Sequence, residues 1–172
     1  MFATILLPNF SLQAIARHQP ELRQQPFAVL DEMASKTVLL QVDDAAEAAG
    51  VHAGMTPSQA LARCLHLVIK ARARGSEQQA GDILLHHAFT LSPFVEATAP
   101  GVCTIEFKQG RDVYVKLERT VESLARCNLI ARAGIAKNPD ASFLAAHLAE
   151  PVLQMEDASH FLAPLPIETL AL

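Results

Sequence analysis

The chain has 172 residues, 51% hydrophobic and 19% charged, with a formal net charge of −4. That length suits one domain, or one domain carrying a small inserted lobe. The high apolar fraction excludes intrinsic disorder, and 7 Gly and 10 Pro, scattered along the chain, exclude collagen-like and low-complexity classes. With no Trp, one Tyr and eight Phe, the expected core is aliphatic. Cys64, Cys103 and Cys127 lie far apart with no CxxC or Cys/His cluster, so they predict small buried residues in a reducing compartment, not a disulfide or a zinc site. The N-terminal apolar run meets Pro8 with no positive segment before it, and no run approaches the ~18 residues of a membrane span. These features predict a cytoplasmic protein.

In chain order, Phe2–Pro8 reads as a first strand buried on both faces. Phe10, Ala14, Arg17 and His18 follow at helical spacing up to Pro20. Pro26–Leu30 and Lys36–Val42 predict two strands around a turn at Asp31–Ser35. Asp43 or Asp44 caps a short helix over Ala45–Ala49, which Gly50 stops. Thr56 and Pro57 supply the N-cap and first position of the next helix, which carries Ala60, Leu61 and Cys64. Leu67–Lys70 predicts a further strand. Ser76 then caps a helix with Ile83, Leu84, His87 and Leu91 on one face, ending near Pro93. Phe94–Ala99 and Val102–Phe107 predict a hairpin broken at Pro100–Gly101. A helix over Val115–Cys127, with Leu117, Val121 and Leu124 inward, precedes a strand over Asn128–Ala136. Asp140–Ala149 is an Ala-rich helix, Val152–Met155 a short strand, and Asp157–Leu162 a last helix before Leu165–Pro166. The pattern is α+β, a sheet layered with helices. The strands on either side of Asn9–Gln19 are expected in one sheet formed by residues 1–35 and 67–172, with 36–66 as a small inserted lobe.

Charge is unevenly placed. No acidic residue occurs between Glu47 and Glu77, where Arg63, Lys70, Arg72 and Arg74 are all basic. Such a strip can dock phosphates even in an acidic protein, and it reads equally as a solvated face. No aromatic residue is interleaved to stack bases. His86 and His87 are adjacent, so on a helix they diverge by about 100° and do not chelate one metal. Ser11 and Ser92 have no His/Asp frame for a hydrolase.

Several segments together resemble the Y-family (DinB/UmuC-like) translesion DNA polymerases. Pro26-Phe-Ala-Val, Gly50-Val-His-Ala-Gly-Met55 and Gln59-Ala-Leu-Ala-Arg-Cys64 are similar to that family's fingers region. Ser92-Pro-Phe-Val-Glu96 resembles the lead into its central hairpin, Gly134-Ile-Ala-Lys-Asn138 its "GIaxNK" turn, and Phe161-Leu-Ala-Pro-Leu-Pro166 the segment leading to its thumb. The matches fall in family order. The resemblance implies a ferredoxin-like palm, with 1–35 and 67–172 as its two parts, an inserted fingers lobe over 36–66, and no thumb within the chain.

Two-metal nucleotidyl transfer needs carboxylates converging on both ions. Where the family has two Asp at the end of the first strand, counting back from Phe10, this chain has Leu6 and Pro8, and no acidic residue occurs before Glu21. The Asp-Glu pair of the hairpin, counted from Glu96, falls on Gly101 and Val102. Glu96 and Glu106 flank that gap. The triphosphate-binding Tyr and Arg map to Asp44 and Glu47, and the two Lys of the "NKxxAK" run map to Pro139 and Phe143. An acid in place of a phosphate-binding Arg repels the nucleotide. No catalytic residue, metal ligand or cofactor site is therefore expected.

A family scaffold with every catalytic station changed resembles the catalytically inactive ImuB-type members. That resemblance implies a bacterial, nucleoid-associated adaptor in induced mutagenesis, whose partners are an error-prone replicative-type DNA polymerase, a RecA-like accessory protein and the sliding clamp. No glutamine-led clamp-binding peptide is visible in this chain. Arg63, Lys70, Arg72 and Arg74 would lie near template backbone, and Lys137 and Asn138 keep part of a phosphate-facing turn. Two alternatives remain open. One is a divergent active polymerase using Glu96 and Glu106 with Mg²⁺; the other is a palm-like regulatory domain without DNA contact.

Overall fold

The computed structural model describes residues 1–32, 37–108, 111–157, 161 and 163. They form two compact units, Met1–Pro8 with Ala80–Leu172, and Asn9–Gln79. The predicted helix over Asp157–Leu162 and the Leu165–Pro166 segment lie largely outside the described residues.

The first unit is built on a five-stranded sheet. Its strands are β1 (Phe2–Leu6), β5 (Val95–Ala99), β6 (Val102–Glu106), β7 (Arg132–Ala136) and β8 (Val152–Gln154), in the order β5-β6-β1-β7-β8. Strand β1 is central and antiparallel to both neighbours, and β8 runs parallel to β7. As its apolar run predicts, β1 is buried on both faces, with Ala3 and Ile5 on one and Thr4 and Leu6 on the other. Pro100–Gly101, with Gly101 at φ 76°, makes the tight β5–β6 turn that the sequence marks.

Helix α6 (Pro139–Leu148) packs on β1 and β7 at close range. Gly134 on β7 permits the approach, because a Cβ there would overlap the backbone of Ser142 and Ala146. The Thr4 and Ser142 hydroxyls, both fully buried, bond at 2.8 Å and fix the same helix to β1. Helix α5 (Val113–Arg126) turns Val113, Leu117, Thr120, Val121 and Leu124 inward at helical spacing. It begins two residues earlier than the sequence predicts.

The second unit holds a three-stranded sheet in the order β3-β2-β4, from β2 (Phe27–Asp31), β3 (Val38–Val42) and β4 (Val68–Ala71). Strand β2 pairs antiparallel with β3 and parallel with β4. Its alternating side chains serve two cores. Phe27 and Val29 pack with Leu12, Ile15, Ala16 and Leu22, from α1 (Phe10–Ala16) and the 3-10 turn Pro20–Gln24. Ala28 packs on the other side with Leu39, Val42, Ala46, Val51, Ala60 and Leu67. Asp43, not Asp44, caps α2 (Asp44–Ala48), its Oδ1 accepting from the Ala46 amide at 2.9 Å. Thr56 and Gln59 form a reciprocal capping box on α3 (Pro57–Arg63).

The expected lobe, 36–66, lies inside the second compact unit, Asn9–Gln79. That unit is wider because β2 bonds to both β3 and β4, and among the described residues none of the three pairs with the five-stranded sheet. Strand β1 joins the main sheet, but the strand after Gln19 does not. Helix α4 (Arg74–Leu91) also starts before Ser76: the Glu77 amide already donates to the Ala73 carbonyl at 3.0 Å, which places Ser76 inside the first turn.

Candidate functional site

At the end of β1, Leu6 lies directly opposite Val102 of β6 and Arg132 of β7. The Leu7 amide donates to the Gly101 carbonyl at 2.8 Å, which closes the turn onto the strand end. Leu6 and Val102, 8% and 6% exposed, form one apolar cluster with the buried Ala146 and the half-buried Phe143 of α6. Three of the residues at which the resemblance expects a carboxylate or a lysine thus meet each other, across two strands and a helix. Gly101 carries no side chain and occupies a left-handed turn position. Pro8 is half-buried, and Asn9 after it is exposed and left-handed at φ 49°.

His147 lies one turn beyond Phe143, with ring centroids 4.6 Å apart. Its Nε2 is buried and unpartnered, and burial, with the nearby Arg132 charge, lowers the imidazole pKa. Arg132 donates to the His147 carbonyl at 3.3 Å. Divalent magnesium or manganese requires hard oxygen ligands. Leu6 and Val102 offer hydrocarbon instead, so the residues present do not fit a pair of catalytic ions. Among the described residues no group of three or more His, Cys, Asp or Glu side chains is placed to hold a metal.

The remaining stations are separated. Pro139 is exposed at the first position of α6, and Asn138 caps that helix, accepting from the Ala141 amide at 2.8 Å. Lys137 beside it is exposed. In the lobe, Asp44 and Glu47 are exposed acids in the first turn of α2. Glu96 and Glu106 are exposed on neighbouring strands, but Glu96 faces Thr104 and Glu106 faces Phe2.

The basic strip is dispersed into separate roles. Arg63 donates to the Gly50 carbonyl at 3.1 Å, and Lys70 is half-buried on β4. Arg72, a DNA-contact candidate by sequence, is engaged within the lobe. It binds the Glu77 carboxylate through Nε and Nη2 at 2.9 Å each, and Asp31 through Nη1 at 3.3 Å. Of the four, Arg74 is the one exposed with no bond that the structure fixes.

A family model described as the impB/mucB/samB family matches residues 5–147. The chain belongs to that family. Its fold is that of Y-family DNA polymerases. The structure "Insertion ternary complex of Dbh DNA polymerase" superposes with a TM-score of 0.86 at 13% identity, covering 98% of this chain and 53% of that one. DinB from Sulfolobus solfataricus gives 0.77 at 14% identity, covering 98% and 52%. The chain thus spans about half the length of the solved structures it matches. No curated protein matches it by sequence.

Sequence reasoning in family terms missed a polar network in the lobe. Ser11 Oγ donates to Glu77 Oε1 at 2.6 Å, and the Ser11 and Leu12 amides donate to Gln41 Oε1 at 2.9 and 3.3 Å. Ser11 and Glu77 are buried, at 4% and 7% exposure. Burial would raise the Glu77 pKa, but hydrogen bonds from Arg72 and Ser11, with the Arg72 and Arg74 charges, outweigh it and hold the carboxyl below its usual value. That Glu77 closes a basic stretch was visible in the sequence; its burial and its link to Ser11, 66 residues away, were not.

Proposed function

We propose that this chain is a non-catalytic, polymerase-like adaptor of the ImuB type, acting in DNA damage tolerance. On this reading it is a DNA-associated scaffold for an error-prone replicative-type polymerase, working with a RecA-like accessory protein and the sliding clamp. One observation carries the reading: Leu6, Val102 and Phe143 pack together with Ala146 where an active relative would need ligands for metal and phosphate. A fold alone does not license an activity; the chemistry of the site does. A hydrocarbon cluster cannot coordinate a divalent ion or neutralise a triphosphate. Of the candidate DNA contacts, Arg74 and Lys137 are exposed cations, and they support a weak, salt-dependent association with DNA.

Calorimetric titration of the purified chain with a deoxynucleoside triphosphate in Mn²⁺ tests this. No heat of binding at millimolar nucleotide is expected. Metal-dependent binding abolished by Glu106→Ala would overturn the assignment and make the protein a divergent polymerase.

A further inference from the structure

The chain passes between its two units twice, at the Pro8–Asn9 peptide and within α4 at Gln79–Ala80. Ser11 stands just after the first passage, in the first turn of α1, and Glu77 just before the second, in the first turn of α4. Their side chains bond at 2.6 Å, so within the lobe the two passages are tied directly to each other. The tie is backed on both sides. Arg72, from the β4–α4 junction, grips the same carboxylate and reaches Asp31 at the end of β2. Gln41 on β3 holds the backbone of the same α1 turn through the Ser11 and Leu12 amides.

An apolar contact at this place would bury area without fixing direction, and in general it stabilises as well as a buried ion pair or better. A short, charge-assisted bond differs in kind, because it fails once its partners shift by a fraction of an ångström. We propose that the Ser11–Glu77 contact is a bolt coupling the two chain passages, so that the first turns of α1 and α4 open together and never singly. The inference rests on lobe geometry alone and stands whether or not the chain is an adaptor. The Glu77 carboxyl is held below its usual value, so the bond is not a pH sensor near neutrality.

Amide hydrogen exchange on the intact chain tests it, comparing wild type with Ser11→Ala and Glu77→Gln. Either substitution is expected to speed exchange about tenfold or more in both 10–14 and 77–81, with the β2 amides unchanged. A third variant, Gln41→Ala, loosens the α1 turn with the Ser11–Glu77 bond left in place, and acceleration that stays within 10–14 there would overturn the proposal, because the two turns would then open independently with the bolt closed. Gln41→Ala removes neither Ser11 nor Glu77, so it decides the question even if Glu77→Gln unfolds the lobe.

Discussion

The two units treat charge in opposite ways. In the five-stranded unit, the strand ends that face α6 carry Leu6 and Val102, and they close on Phe143 and Ala146 as hydrocarbon. In the lobe, a serine, a glutamate, an arginine and an aspartate form a half-buried chain of hydrogen bonds where apolar packing would have sufficed. The first region is where the family resemblance calls for converging carboxylates; the second is where it calls for none. The ionisable side chains of the lobe network fix the geometry of α1 and α4, while the end of β1 is closed by hydrocarbon packing.

Substitutions that break either side of this contrast differ in size. Gly134→Ala should be the most damaging, since the added methyl collides with the backbone of α6 and forces the helix off the sheet that carries the apolar cluster. A loss of roughly 3 kcal/mol or more in urea unfolding is expected. Leu6→Asp comes next: a carboxylate at a position 8% exposed, with hydrocarbon for neighbours, should cost about 2–4 kcal/mol and titrate above its ordinary pKa. Millimolar Mn²⁺ should not restore that loss; restoration would reveal a latent metal site and break the contrast.

Arg72→Ala leaves Glu77 buried with the Ser11 hydrogen bond and the Arg74 charge, and should cost about 2 kcal/mol. The acid limb of stability sharpens the same point. Because the folded Glu77 pKa is depressed, its contribution is complete above the ordinary value of 4.5 and disappears as pH falls through the lower folded value. In Arg72→Ala that part of the acid limb should flatten, which pH-dependent unfolding would record. Thr98→Ala is expected to be the mildest change, at most about 0.5 kcal/mol, since it removes a methyl and an exposed hydroxyl whose bonds are to Thr104 at 2.8 Å and the Glu96 carbonyl at 3.4 Å.

Much of this was legible in the residues. The apolar run of β1 and its end at Pro8, the Pro100–Gly101 turn, and the Thr56–Pro57 helix start are local signals, and each element stands where the sequence puts it. The segments quoted in chain order lead to the family whose model matches residues 5–147, while overall identity to the solved structures is as low as 13%. Sheet membership was not legible. Strand β2 reads the same whether it joins β1 or β4, and its partner is decided by the clusters around Leu12 and Leu39 that bury its two faces. The positions that the resemblance assigns to ligands, Leu6, Val102 and Phe143, could each be found by counting, but nothing in their spacing says that they touch. The role of Arg72 was hidden for a related reason. A basic residue in a basic strip looks free until Asp31 and the buried Glu77 are placed beside it.

The central claim is that the end of β1 is a hydrocarbon contact and not a metal site. The most direct test is methyl NMR of Leu6 and Val102 during titration with Mn²⁺ and a nucleoside triphosphate, since the paramagnetic ion broadens resonances only in its vicinity. The account predicts that both methyl signals stay sharp to millimolar Mn²⁺, like those of Leu117 and Leu124 in the α5 core. Selective broadening of Leu6 and Val102, reversed by excess Mg²⁺, would contradict it.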